Sequence, residues 1–539
     1  MSLKVDAAWI TGKVRCQNGY VYIDQPYWNA EKQQAGHKRK YIGKYDGKIF
    51  TPNRTYYELE TEYQRKSEPA KRGPVPATDC KRLFYGATYL LDRIAEKTGI
   101  TDDLEHSFGQ DSKMILSLAY FLVLEEGQPA YRFRKWEATH MHPYREELSS
   151  QRISELFGRI TEEGKMAYFK RQAIRHSSDE YLAFDTTSIS SYSTLIKQAK
   201  YGKNKEGDSL PQLNLALLFG EESMLPVYYR KLPGNIPDVK TIENLLLDID
   251  FLQLNKLKFV MDRGFYSVQN INDFMKNHHK FLIGVRLSLK LVQSRLDTVR
   301  DNFATRCNYN SVLHLYVMTF IENWNDTEEH PRTGETVQEK RRVYLHLYYN
   351  DQKATDDKDR FNHLLDRLET NLLNNTMDPE DAPMYKKYFI IHETPIRGKR
   401  YNFNEEAIHD AEKNYGYFAL LSNGIKDPVV ALNIYRNKDL IEKSFGNLKE
   451  RLDMRRMSVA SEENFEGKLF VQFVGLELLS YIKKQMDDNG LFKDYTMQSL
   501  LDELDIIEYY QQPGKAHHLS EMTKRQHEFY EYMNVEMPS

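Results

Sequence analysis

Apolar residues follow two different periods along this chain, and the change comes near residue 178. Before it, ATYLLDRIAEKTGI (87–100) carries apolar positions at helical spacing and closes at Gly99. A new helix is expected from Thr101, and KMILSLAYFLVLEEG (113–127) predicts a mostly buried one. SQRISELFGRITEEGKMAYFKRQA (150–173), with Ser150 placed to cap it, predicts a helix, a break near Gly158 and a second helix. Such a pair suits either a DNA-contacting helix-turn-helix or plain helical packing. From 178 on, YLAFD (181–185), QLNLALLF (212–219) and MLPVYYRKL (224–232) are β-prone runs separated by turn residues. A helix over 239–249 follows, then a strand at KLKFVMD (256–262), a helix over 267–278 and a strand at KFLIGVR (280–286). Strands in succession followed by strand–helix alternation predict a mixed α/β sheet.

Residues 287–412 break that rhythm, with strands at 311–324 and 340–350 around a polar loop and a helix over 359–374. YGYFALLSN (415–423) returns to strand, and helices are expected at about 435–452 and 463–486, with amphipathic ones near 497–507 and 519–533. At the other end, KRKYIGKYDGKIF (38–50) predicts a hairpin turning at Asp46-Gly47, and KSEPAKRGPVPATD (66–79) a proline-containing linker. The expected division is 1–75 hairpin-containing segment, 76–177 helical and DNA-binding, 178–286 core, 287–412 insertion, 413–490 core and 491–539 helical tail.

Composition narrows the class. Hydrophobic residues at 40% and charged residues at 28% suit a globular protein, and no apolar run approaches a bilayer span. The first residues lack the basic-then-apolar order of a signal peptide. Cys16, Cys80 and Cys307 stand far apart, with no Cys-x-x-Cys pair, so a disulfide framework and a zinc knuckle are not expected, and a reducing cytosol is. The net charge of −3 argues against a small basic nucleic-acid module and no further, because 75 basic residues remain free to cluster.

With 78 acidic residues present, context must select the reactive ones. Asp185 and Asp262 each follow an apolar strand, where a carboxylate is held rigidly at a sheet edge as an oxygen ligand for a hard cation. Each also suits a turn cap. On an α-helical wheel Tyr435, Lys438, Glu442 and Lys449 share an arc of about 60°, beside an apolar stripe of Ile441, Phe445, Leu448 and Leu452. That face joins a metal ligand to cationic and hydroxyl phosphate donors. The same pattern also suits a solvated charged face.

These segments resemble those of DDE-type bacterial insertion-sequence transposases, in the branch with a tyrosine–arginine–glutamate–lysine signature. FDTTS (184–188) is similar to the first-Asp motif, MDRGFYS (261–267) to the second and YRNKDLIEKSFGNLKERLDMR (435–455) to the third. LPGNIPD (232–238) is similar to a segment between the first two acids. The arginine position holds Lys438, with Arg436 two residues away; lysine meets phosphate as a point charge, without the bidentate fork.

The resemblance implies a ribonuclease-H-like mixed-sheet core, with the first Asp on its first strand, the second on its fourth and the Glu on a later helix. Glu442 stands 180 residues after Asp262, too far for a loop, which implies a β-containing insertion domain within the core. It also implies that Asp185, Asp262 and Glu442 hold Mg²⁺, or Mn²⁺ in its place, for cleavage and strand transfer at two cations. Tyr435, Arg436, Lys438 and Lys449 would hold double-stranded DNA at the element's terminal repeats, with a homodimer on DNA. Arg332, Lys340, Arg341 and Arg342 flank a polar hairpin tip expected to face the DNA end, and Trp324 is the candidate for stacking on a flipped base. A bacterial or archaeal cytoplasm, near the nucleoid, is the expected location. Two rivals share these residues: a nuclease that cuts without joining, and a domesticated sequence-specific DNA-binding protein.

Overall fold

The computed structural model describes residues 10, 13–29, 34–67, 80–176, 180–191, 196–202, 210–252, 254, 256–329, 336–394, 398–438, 443, 445–452, 456–457, 461–512 and 516–539. Two compact units divide the chain: residues 1–80 with 512–514, and the remainder.

In the smaller unit, β1 (Lys13–Gln17), β2 (Tyr20–Asn29), β3 (Gln34–Tyr45) and β4 (Phe50–Pro52) pair in chain order, all antiparallel, and α1 (Arg54–Ser67) follows. Alternation along β2 sends Val21 and Ile23 to one face, where they bury with Ile42. The expected turn at Asp46-Gly47 closes β3 on β4. The Asp46 carboxylate accepts the Lys48 and Ile49 N–H groups at 2.8 and 2.7 Å, and Gly47 takes φ +96°, which a side chain would resist. The linker expected over 66–79 lies outside the described residues from 68 onward.

The larger unit begins with β5 (Lys81–Phe84) and the helices α2 (Gly86–Thr98), α3 (Ile100–Phe108), α4 (Ser112–Leu124), α5 (Phe133–Glu137), α6 (Ser150–Arg159) and α7 (Glu162–His176). Gly99, at φ +79°, ends α2, and α3 starts on the next residue. Ser149, not Ser150, caps α6, and the break before α7 falls at Ile160, which leaves helical backbone because its side chain turns into the core. Gly158 stays within α6.

The sheet and its cover follow: β6 (Tyr181–Ser191), β7 (Gln212–Gly220), β8 (Pro226–Pro233), α8 (Asp238–Phe251), β9 (Lys258–Met261), α9 (Val268–Lys276), β10 (Lys280–Val285), α10 (Lys290–Phe303), β11 (Tyr309–Asn310), β12 (Leu315–Glu329) and β13 (Thr336–Tyr349). Next come α11 (Asp351–Leu373), α12 (Ala382–Tyr388), β14 (Phe389–Thr394), β15 (Gly398–Phe403), α13 (Glu405–Glu412), β16 (Tyr417–Ser422), α14 (Pro428–Asn437) and β17 (Arg456–Met457). The chain closes with α15 (Glu462–Asp488), α16 (Met497–Asp505), β18 (Glu508–Gln511), β19 (His518–Leu519) and α17 (Lys524–Tyr532). No helix among the described residues is long and apolar enough to cross a membrane.

Among the described residues, ten strands form one mixed sheet in the order β11-β12-β13-β16-β10-β9-β6-β7-β8, with β17 along β6. β6, β9 and β10 run parallel; β7 and β8 fold back on one side, and β16, β13 and β12 are antiparallel on the other.

Residues 287–412, expected as one inserted body, divide in two. β12 and β13 join the main sheet through β16, so the alternation of Val343, Leu345 and Leu347 serves the main core. A separate small core gathers Leu365, Leu368, Leu372, Tyr385, Tyr388 and Phe389, from α11 to β14.

α15 is buried along most of its length, and α6 lies against it so closely that Gly467 leaves no room for a side chain. A Cβ there would stand 2.4 Å from the Phe157 Cα and carbonyl oxygen. Gly467→Ala is therefore expected to cost about 1–3 kcal/mol, as overpacking does. Gly158→Ala, which meets open space inside a helix, is expected to gain up to about 1 kcal/mol. Chemical denaturation of the two variants measures both; equal effects would contradict the close α6–α15 contact.

Candidate active site

Asp185 lies inside β6 rather than at its end. The strand continues to Ser191 because β7 pairs it along its length and β17 takes its other edge at Ser190 and Ser191. On that edge β9 has already ended. Parallel pairing sets Phe184 opposite Met261, so the next residues, Asp185 and Asp262, stand at one level and on one face. Asp262 stays extended, at φ −76° and ψ 164°, before a tight turn over Arg263–Phe265. Both aspartates thus border a gap between β9 and β17.

The two motifs also meet behind the acids. The rings of Phe184 and Phe265 pack edge to face with centroids 5.2 Å apart. Asp185 accepts the Thr186 N–H at 2.7 Å. Thr186 faces the other side of the sheet, and its hydroxyl donates to Asp238 at 2.6 Å. Asp238 opens α8, and its second oxygen lies by the Asp262 turn: a Cβ on Gly264 would stand 3.6 Å from it. Asp238 therefore anchors the Asp185 strand to the start of α8 and stands close to the Asp262 turn. Asp238 ends the LPGNIPD segment but is not among the expected site residues; an acid at the first helical position behind Pro237 is the available signal.

Tyr435, on α14, donates its hydroxyl to Asp262 at 2.7 Å. That approach depends on Gly284 in β10, where a Cβ would stand 2.6 Å from the tyrosine oxygen. Gly284 was also missed, although a glycine inside a buried strand marks a close approach. The Lys438 ammonium lies 5.3 Å from the Tyr435 ring centroid. Burial by itself would raise the Asp262 pKa. The Tyr435 hydroxyl, the Arg263 N–H and the charges of Lys438 and Arg263 outweigh it and hold the carboxyl below its ordinary 3.8. A cleft of about 480 Å³ opens beside Asp262, lined in part by Arg263, Gly284, Arg286 and Tyr435.

α14 ends at Asn437, with Lys438 as its cap and Arg436 exposed. Glu442, the third expected acid, lies outside the described residues. Beyond it, Asn447–Arg451 forms a π turn. The single α-helix expected over 435–452 is thus interrupted. An i→i+5 turn holds more residues than an α turn, which takes Lys449 off the common arc drawn on a uniform wheel. The turn is pinned where the Gly127 N–H donates to the Arg451 carbonyl at 3.0 Å and the Gln472 amide to the Leu452 carbonyl.

Trp324 is not brought to the aspartates. It pairs with Arg341, five residues before His346, and His346 is level with Gly284 and Asp262 through Leu420. That separation is about 17 Å along the sheet. The indole N–H donates to Asn272 at 2.7 Å, and the ring packs on the main core, which favours a structural part for it. Arg332 lies outside the described residues; Lys340, Arg341 and Arg342 stand at the same end of the sheet as Trp324, away from Asp262. The direction of β13 explains this: it enters the sheet from that end.

Two level carboxylates, one kept ionised by a hydroxyl and an N–H donor, are hard oxygen donors suited to a divalent cation. Among the described residues no three His, Cys, Asp or Glu side chains gather closely enough to hold an ion.

A family model described as a transposase DDE domain matches residues 176–476, more than half of the chain. No curated protein matches the chain in sequence. Among solved structures, a piggyBac transposase synaptic complex with hairpin DNA aligns over 78% of this chain and 77% of that one, at 8% identity and a TM-score of 0.35.

Tyr435→Phe removes the largest contribution holding the Asp262 pKa down, so that pKa is expected to rise. A carboxyl with a depressed folded pKa stabilises fully above its unfolded value, and the stabilisation is lost as pH falls through the folded value. Tyr435→Phe should therefore hold less of that stabilisation above the unfolded value, and the loss should be complete at a higher pH than in the parent. Carbon-13 NMR titration of the Asp262 carboxyl reads the shift directly; an unchanged pKa would contradict the coupling.

Proposed function

Because this chain belongs to the transposase DDE-domain family, we propose that it cuts DNA at the ends of a mobile element and joins those ends to target DNA, with Asp185, Asp262 and Glu442 as its catalytic carboxylates. The observation that carries the reading is the register of β6 and β9, which levels Asp185 with Asp262. The third acid is supported by its neighbours in sequence. Before it, Lys438 acts on Asp262; after it, β17 pairs with β6 just beyond Asp185. The strand order β8-β7-β6-β9-β10, with one aspartate on the first of these strands in sequence and the other directly after the fourth, supports a ribonuclease-H-like core. Tyr435, Lys438 and Lys449 support placing the chain in the tyrosine–arginine–glutamate–lysine branch of bacterial insertion-sequence transposases, with lysine at the arginine position.

The three acids would hold Mg²⁺, or Mn²⁺ in its place; bound there, two such ions activate the attacking oxygen and stabilise the leaving one. The chain's own part is to position and to hold charge. Tyr435 and the Arg263 N–H keep Asp262 ionised. Asp238 holds the strand of Asp185 through the Thr186 hydroxyl. Arg436, Lys438 and Lys449 would meet phosphates of the element's end, Lys438 as a point charge without a bidentate fork. Hydrolysis breaks the phosphodiester at that end and frees a 3′-hydroxyl; the hydroxyl then attacks a target phosphate, and the target's own 3′ oxygen leaves. Two such reactions on paired ends call for a homodimer on DNA. Trp324 remains a candidate for stacking on an unpaired base only if the β12–β13 ribbon of one subunit reaches the DNA held by another.

Asp185→Asn is expected to abolish cleavage of an element-end duplex in Mg²⁺ while leaving end binding within about twofold, since phosphate contacts dominate affinity. A pre-cut end supplied to the parent protein should be joined to a second duplex. Cleavage retained by the variant would remove Asp185 from the chemistry; a pre-cut end never joined would reduce the activity to hydrolysis. Lys438→Ala and Lys449→Ala should each lower the salt-dependence slope of end binding by about 0.9.

A further inference from the structure

The end of the sheet opposite the aspartates is basic. Lys256 precedes β9 and Lys258 opens it; His278 comes from the α9–β10 connection, Lys280 opens β10, and Arg341 and Arg342 come from β13. Lys258 and Lys280 are cross-strand partners, and the register through β16 brings Arg342 level with Lys280. These residues line one cleft of about 840 Å³, and no carboxylate lines it. Lys256, Lys280 and Arg342 are exposed and, among the described residues, make no ion pair. Lys256 and His278 both take φ +58°, a backbone region where glycine or asparagine costs less. Strained backbone of this kind gathers at functional surfaces.

Distance separates this cleft from the acids. Asp262 stands four residue steps, about 13 Å, beyond Lys258, and Phe259, Val260 and Met261 between them are fully buried. From β9 to β13 the row spans about 14 Å, the rise of roughly four base pairs. Its one aliphatic lining residue, Met275, is buried, so the surface offers none of the apolar anchors that protein partners use.

We propose that this cleft binds the phosphate backbone of a second DNA duplex, distinct from the one cut at the aspartates, without reading its sequence. The proposal rests on the reading that the chain acts on DNA, and it adds a site that the cutting reaction does not require.

The test uses the full chain carrying Asp185→Asn, so that DNA is bound and not consumed. Fluorescence anisotropy with a short duplex lacking element-end sequence gives affinity against salt. Lys280→Ala/Arg342→Ala is expected to lower the slope by about 1.8, or 0.9 per contact. Affinity at low salt should fall at least tenfold. The charge-keeping pair Lys280→Arg/Arg342→Lys should restore both, and unchanged thermal melting confirms the fold of each variant. A slope and affinity equal to the parent's in the alanine variant would overturn the cleft and leave the DNA reading intact. A parent that binds no duplex at all would overturn both. Polyglutamate bound as tightly as DNA, and lost in the same variant, would overturn the nucleic-acid assignment in favour of an acidic protein.

Discussion

One register carries the site: Phe184 opposite Met261 in the parallel pair β6–β9. A slip of one residue would send Asp262 to the opposite face from Asp185, because side chains alternate. Several contacts defend that register. Phe184 and Phe265 lock the two motifs behind the acids, and the Thr186 hydroxyl anchors β6 to Asp238 at the start of α8. On the near face Tyr435 reaches Asp262 only because β10 carries a glycine there. The same pairing explains why Asp262 is ionised despite its burial: the donors that offset desolvation are delivered by α14 and by the turn, and both positions follow from where β9 stops.

Much of this was legible in the residues. The strands before both aspartates, the Asp46-Gly47 turn, the Gly99 stop and the helices of the first half follow from apolar period and from glycine placement. What failed did so for identifiable reasons. β6 was read as ending at Asp185 because Thr186, Thr187, Ser188, Ser190 and Ser191 look like a turn. They are buried instead, since β7 and the distant β17 satisfy their backbone. A helical wheel presumes one uniform helix, so the π turn at Asn447–Arg451 could not be drawn on it. The alternation of β13 was real, but period alone does not say which sheet a strand joins, and β13 joined the main one. Asp238 and Gly284 act through residues distant in sequence, and only a fold brings those together.

Charge is distributed along the strands rather than across the surface. The two aspartates stand where β9 ends, among Arg263, Arg286 and Lys438, whereas the cleft where it begins is lined by cations with no carboxylate, and a buried apolar stretch lies between. The whole-chain charge of −3 sums 75 basic and 78 acidic residues and so conceals both ends. A composition test for nucleic-acid binding fails for a protein of this size for that reason: the field a phosphate meets is set within about a Debye length, close to 10 Å at ordinary salt.

The β12–β13 pair has a consequence for self-association. β16 pairs β13 only from Tyr344 onward, whereas β12 pairs it from Thr336. Between those points, among the described residues, the ribbon has no third strand, so both its outer edges present open backbone donors and acceptors. A two-stranded ribbon in that state is a template for another chain to extend. Its sequence there, TVQEKRRV, answers with a lysine and two arginines in a row, whose mutual repulsion opposes edge-to-edge stacking of like copies. Removing those cations would leave a β-prone edge without gatekeepers, open to extension by another copy.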